Sequence, residues 1–243
     1  PRTMVDDDLE EALDAKGWVV VPLLGADEVR DLVGFYRSHA EQGQLNPEGA
    51  YDSTYAEFSV IHSHPEFRRA AYAEIVGTVA RRADPLLCSF RPLVTIFFNK
   101  PPVTGIVPVP QNWSVVDEQR FRSVSVWVAL VDCGLENGTL QLLPGSPRDF
   151  REPRGMWAYE AFVGAVDVIE PMLERVDVRA GEAIILDDAT VHYSPPNTTR
   201  ADRLAIQLIM VPDAATPMFW QQVGGDETTL VADAWQVEEP FFW

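Results

Sequence analysis

The chain has 243 residues, 47% of them hydrophobic and 23% charged, with a formal net charge of −18. That length and apolar share suit one globular domain with a real core. The acid excess repels phosphate backbones and anionic lipid, which argues against nucleic acid and membrane surfaces as partners; keeping the protein soluble is the plainer role of the charge.

In chain order, Asp6 to Lys16 reads as a short acidic helix ending at Gly17, a residue suited to a helix C-cap. Trp18 to Leu24 is a continuous apolar run and is expected to be a buried strand. From Ala26 to Gln44, apolar residues recur at Val29, Leu32, Val33, Tyr36 and Ala40, the spacing of one helix face. Leu45 to Tyr55 is polar and carries Gly and Pro, so a loop is expected. A third helix should start near Ser63, with Glu66 completing a capping box and Pro65 in the first turn, and should end before Pro85. Residues 1–88 are thus expected to be mainly helical.

After Ser89 the period changes. Short β-branched and aromatic runs follow: 90–100, 123–132, 138–145, 175–181, 182–188 and 203–212, broken by Pro, Gly and Asn, with turns at Arg179–Glu182 and Pro195–Asn197. Arg148 to Glu174 interrupts them as a mixed insertion bearing Trp157, Tyr159 and Phe162, a candidate lid. The tail, 214–243, is aromatic and closes on Phe241, Phe242 and Trp243; packing back on the strands and covering a partner subunit both fit it. Helices first and strands afterwards imply an α+β domain. The number and spacing of the strands over 89–213 imply a jelly roll. No repeat or linker divides the chain, so 1–243 reads as one domain.

Cys88 and Cys133 show neither zinc-type nor disulfide-framework spacing and read as free buried thiols in a reducing cytoplasm. No apolar signal region or membrane-spanning run is present in this sequence, so the Asn-x-Ser/Thr triplets at Asn112, Asn137 and Asn197 carry no glycosylation meaning in that setting.

The order of motifs resembles the phytanoyl-CoA dioxygenase family of the Fe(II)/2-oxoglutarate oxygenase superfamily. The resemblance rests on NKPP at Asn99, QNWSVVDE at Gln111, SVWVAL at Ser125, ENGTLQLLPGS at Glu136, RAGEAIILDDATVHYSPPN at Arg179, and Arg203. It implies a double-stranded β-helix with helices packed on it. It also implies an iron held by a His-x-Asp/Glu pair and a distal His. An Arg eleven residues after that His anchors the far carboxylate of 2-oxoglutarate. Carried over residue by residue, His192 falls on the distal ligand and Arg203 on the anchor. The proximal pair falls on Pro110 and Asn112, and a family histidine after the Pro-Gly-Ser turn falls on Pro147.

Proline has no ligand atom, and a neutral amide oxygen is a poor substitute for carboxylate on iron. His192 is then the one family metal ligand left, and no tightly bound cofactor is expected. His62 and His64, in a His-Ser-His run, could in principle supply a different metal site, whereas loop and helix-start roles are the plainer reading; His39 reads as a helix-surface residue. The surviving pocket is expected to hold His192 and Asn112 as catalytic groups and Arg203, Gln111 and Trp127 against a cofactor or substrate, with Trp113 and Tyr193 near the mouth. Core packing is the competing role for Trp113 and Trp127, and an ion pair with Asp187, Asp188 or Asp202 is the competing role for Arg203. Three functions fit: a metal-free cyclisation, isomerisation or elimination; hydroxylation with Fe(II), 2-oxoglutarate and non-standard ligands; or ligand binding without catalysis.

Overall fold

The computed structural model describes residues 1–44, 57–58, 64–103, 111–155, 162–225 and 230–236. Pro110, His62, Trp157, Tyr159 and the loop expected at Leu45–Tyr55 lie outside the described residues.

The architecture is a mixed one, helices packed on antiparallel sheets. Helix α1 (Asp7–Lys16) is capped by the Asp6 carboxylate on the Leu9 N–H and stopped by Gly17 at φ 100. The chain then enters β1 (Trp18–Pro22) and α2 (Ala26–Glu41). Helix α3 spans Pro65–Ile75, with His64 as N-cap and no side-chain cap. Ser63, from which a capping box is expected, lies outside the described residues. Pro65 explains the start, because it fits the first helical position and holds the residue before it extended.

Six strands form the main sheet in the order β1-β7-β4-β9-β3-β2, with every pairing antiparallel. They are β2 (Glu57–Phe58), β3 (Phe90–Lys100), β4 (Val124–Ala129), β7 (Glu182–Asp187) and β9 (Arg203–Pro212), besides β1. A second sheet joins β5 (Gln141–Leu142) to β6 (Glu174–Arg175) and β8 (His192–Tyr193). The tail forms a hairpin of β10 (Met218–Gly225) and β11 (Leu230–Gln236). Its first residue hydrogen-bonds back to Val115, and Phe219 meets Trp113 edge-on at 5.7 Å.

Strand alternation assigns the two faces of the main sheet. Val124, Val126, Val128, Ile185, Leu204, Ile206 and Leu208 meet Leu13, Leu32, Tyr36, Phe67 and Ile75 of the helices in the larger core cluster. The opposite face presents Trp127, Ile184, Leu186 and Ala205 to Leu140, Leu142 and Val176 of the small-sheet side. Because the side-chain period is two, Arg203 and Gln207 share this second face. The expectation of a fully buried β1 needs correction. It is an edge strand paired to β7 alone, and Val20 is 41% exposed. Among the described residues, no helix is long and apolar enough to cross a membrane.

Candidate active site

A cavity lies between the two sheets. Its polar lining is Asn112, His192, Ser194, Arg203 and Gln207, and its apolar lining is Phe98, Trp127, Leu140 and Leu186. The cavity is partly open: its interior volume is about 30 Å³, against about 380 Å³ when the solvent space at its mouth is included.

Arg203 opens β9 and is only 1% exposed. Its guanidinium carbon stands 5.2 Å from the centre of the Trp127 ring. Its Nε and Nη1 are buried and have no hydrogen-bond partner among the described residues. The competing role as an ion-pair partner is not realised: the Asp187 carboxylate takes Arg122 and Arg151, and Asp188 is engaged elsewhere. Burial pulls the Arg203 pKa below its ordinary value. The contrast with Lys100, its neighbour across the β3–β9 ladder, is informative. The Lys100 ammonium is equally buried but donates to Ser194 O, Ser194 Oγ and Pro195 O, which tie β3 to the turn after β8. Burial, then the Arg203 charge, pushes that amine down to about 6. Two buried basic side chains thus stand side by side, and one has its oxygens while the other lacks them.

His192 opens β8, and its Nδ1 lies 2.9 Å from the Thr190 carbonyl oxygen. A carbonyl only accepts, so Nδ1 carries the proton and Nε2 keeps a free lone pair for the cavity. Burial lowers the His192 pKa, so the ring is neutral at pH 7.

Asn112 is held from both sides of its backbone. Its N–H donates to Asp188 O, and its carbonyl accepts from Arg154 Nε at 2.8 Å. Arg154, 4% exposed, also donates to Glu118 Oε1 and Glu152 O. The base of the insertion at 148–174 is therefore pinned under the cavity wall. The Asn112 side chain donates to Asp188 Oδ1 at 2.9 Å and Ser125 Oγ at 3.0 Å. Asp188 is 0% exposed, and burial pushes its carboxyl up to about 6 against the pull of Ser123, Ser125 and Asn112.

The structure places His192, Asn112, Arg203 and Trp127 on the same cavity. Trp127 serves both as core residue and as cavity wall. Gln111 lies outside the lining, and its amide nitrogen donates to Phe150 O and Ala189 O at 2.6 Å each. Trp113 faces the C-terminal hairpin, and Tyr193 packs in a satellite cluster with Leu143 and Val191. His39 sits with Phe35 and Phe67 in the helical layer, and His64 is an exposed N-cap. Sequence reasoning missed Gln207, Ser194 and the Ser125–Asp188 pair behind Asn112. Stepping by two from Arg203 along β9, or from Trp127 along β4, reaches Gln207 and Ser125. Asp188 gave no such signal, because it belongs to a turn.

Two inherited groups can be tested against these residues. A carboxylate of 2-oxoglutarate fits Arg203, whose unanswered donors lie at the cavity. Iron does not fit. The cavity offers one imidazole nitrogen and neutral amide oxygens, and among the described residues no group of three or more His, Cys, Asp or Glu could hold a metal. A lone imidazole with amides binds Fe(II) poorly.

The fold is that of the 2-oxoglutarate-dependent oxygenases. Among solved structures, it is similar to the nogalamycin epimerase SnoN (TM-score 0.61, 21% identity, covering 87% of this chain and 84% of that one). It is similar too to the nogalamycin carbocyclase SnoK (TM-score 0.59, 21% identity, 88% and 86% covered). Residues 16–205 match the phytanoyl-CoA dioxygenase (PhyH) family, and the chain belongs to it. Relatives include phytanoyl-CoA dioxygenase domain-containing protein 1 of Danio rerio, 25% identical over 83% of this chain and 72% of that protein. The Bos taurus protein of the same name is 26% identical over 91% and 79%.

Proposed function

We propose that this chain keeps the carboxylate end of the oxygenase pocket, has given up its iron end, and carries out a metal-free isomerisation, cyclisation or elimination on a small carboxylate-bearing molecule. The two sheets are read as the halves of a jelly-roll barrel with the cavity at its mouth. The observation that carries the proposal is Arg203, a fully buried guanidinium without a protein anion, in a cavity whose other polar atoms are neutral. A buried charge left unpaired is costly, so a carboxylate ligand is what such a site is built to receive.

His192 would do the proton work. Neutral and with Nε2 free, it can take a proton from the bound molecule. The resulting imidazolium keeps its Nδ1–H bond to Thr190 O, and the same proton returns at another atom or leaves with a departing group. No oxidant is consumed. That related folds include an epimerase and a carbocyclase supports the reading that this architecture accommodates rearranging as well as hydroxylating reactions.

The test is calorimetric titration of metal-stripped protein with glutarate, a probe that offers carboxylate and nothing else. Saturable binding, abolished in Arg203→Ala, is expected. Binding that appears only after Fe(II) is added would overturn the reading.

A further inference from the structure

The far end of the cavity has a polarity fixed by hydrogen-bond logic. Asp188 Oδ1 lies 2.6 Å from Ser125 Oγ and 2.9 Å from Asn112 Nδ2. The carboxylate oxygen only accepts, so Ser125 gives it its single hydroxyl proton, and the nitrogen of Asn112, not its oxygen, must face inward. Ser125 Oγ then has lone pairs alone to offer. It takes the second Asn112 N–H at 3.0 Å and an N–H of Gln207 Nε2 at 2.9 Å. Both amides are thereby turned with their nitrogens toward the buried Ser125–Asp188 pair. What they leave for the cavity is Asn112 Oδ1 and Gln207 Oε1, the latter with one remaining N–H beside it. His192 adds the Nε2 lone pair.

The cavity is therefore bipolar. One end holds a guanidinium that wants an anion. The other holds two amide oxygens and an imidazole nitrogen that want hydrogen-bond donors. Arg203 and Gln207 lie on one face of β9, four residues or roughly 13 Å of strand apart, so the two ends are separated along a single element. A 2-oxo acid suits the first end and not the second, since its ketone offers only further lone pairs.

We propose that the ligand is an amino-acid-type zwitterion, with a carboxylate on Arg203 and a protonated amine on Asn112 Oδ1 and Gln207 Oε1, which leaves the neighbouring His192 Nε2 lone pair for the proton transfer. Asp188 is the positioning residue that makes the acceptor end by fixing which way the amides point. This deepens the function proposed above and rests on its carboxylate site.

Three five-carbon diacids that share a distal carboxylate and differ at C2 separate the possibilities: L-glutamate (ammonium), 2-oxoglutarate (ketone) and glutarate (methylene). They are titrated into metal-stripped wild-type protein by calorimetry. L-glutamate is expected to bind on the order of tenfold or more tighter than 2-oxoglutarate, the effect of a charged donor meeting buried acceptors. In Asp188→Asn, whose amide can donate as well as accept, Asn112 is free to reverse and the glutamate preference is expected to collapse while glutarate affinity holds. Should that variant fail to fold, Gln207→Met removes one acceptor and should lower the glutamate-to-glutarate affinity ratio. If 2-oxoglutarate binds as tightly as glutamate or better, the zwitterion proposal is wrong and the carboxylate site stands. If none of the three binds, the carboxylate site itself is wrong.

Discussion

Arg203 sets a conflict between stability and binding. Its guanidinium is withdrawn from water without a protein anion, and its contact with the Trp127 ring returns only part of that loss. Replacing it by Met, of similar length and no charge, should raise stability in the absence of ligand by on the order of 1–3 kcal/mol. Urea unfolding of Arg203→Met against wild type reads this directly, and a variant less stable than wild type would mean the charge has a partner. Asp188 gives a second residue-scale prediction, with a definite sign. Its folded-state pKa, about 6, lies above the ordinary 3.8, so the folded protein holds the proton more tightly. That contribution is fully present below about pH 4 and is lost as pH rises toward 6, an effect on the order of 2–3 kcal/mol. Asp188→Asn cannot titrate there. The stability of wild type relative to this variant should fall between pH 4 and 6 and run parallel above it. Parallel curves through the whole range would remove the raised pKa.

At the scale of elements, the cavity wall depends on clamps that tie loops to strands. Arg154 bridges the insertion to the Asn112 segment and holds Glu118, both nearly fully buried. Arg154→Ala should destabilise the protein by about 3–5 kcal/mol, because it leaves the Glu118 carboxylate buried without a cation, with only the Ser114 hydroxyl donating to it. Arg154→Ala with Glu118→Gln together should recover part of that loss, measured as a double-mutant cycle. Gly138 is a second fastening. It sits at φ 77, and a Cβ there would lie 2.3 Å from the Pro195 carbonyl, beside Lys100 Nζ. Gly138→Ala would press on the turn that follows His192, so thermal melting should show a marked loss. The helices and main strands were legible in the sequence because their periods are strong: Val29, Leu32, Val33 and Tyr36 on one side, the alternation of β9 on the other. Of the short strands, β5 fell within a longer run, β6 touched one at Arg175 alone, and β8 fell in none, since each ladder is two residues long and owes its form to its partner strands. The C-terminal hairpin was left open for the same reason. Its start is fixed by contacts to Val115 and Trp113, not by a local pattern.

For the molecule as a whole, family and fold were readable from motif order, and so was half of the site. His192 and Arg203 carried over by spacing, and Asn112 was located by its position in the family pattern. What spacing could not show is how the substituted position is used. Asn112 lines the cavity, yet its amide nitrogen is tied to a carboxylate from a turn seventy-six residues away in sequence. That carboxylate, Asp188, considered in the sequence only as an ion-pair partner for Arg203, lies buried behind the wall on Asn112 and Ser125. Asp187 is the one that anchors the turn, through Ala189 N and the two arginines. Such pairings form only when the β7 end, the Asn112 segment and β4 converge, so no window of sequence contains them.

On the proposed function, this pocket kept its carboxylate end and lost its iron. Anaerobic titration of metal-stripped protein with Fe(II) and 2-oxoglutarate tests it most directly, by counting bound iron and following the weak visible charge-transfer band of the ternary complex. The double variant Pro110→His with Asn112→Asp serves as the positive control, since it restores the family pair. Wild type should show no band and no stoichiometric iron while the double variant gains both. A band with one iron per chain in the wild type would contradict the account and return the protein to iron-dependent oxygenation.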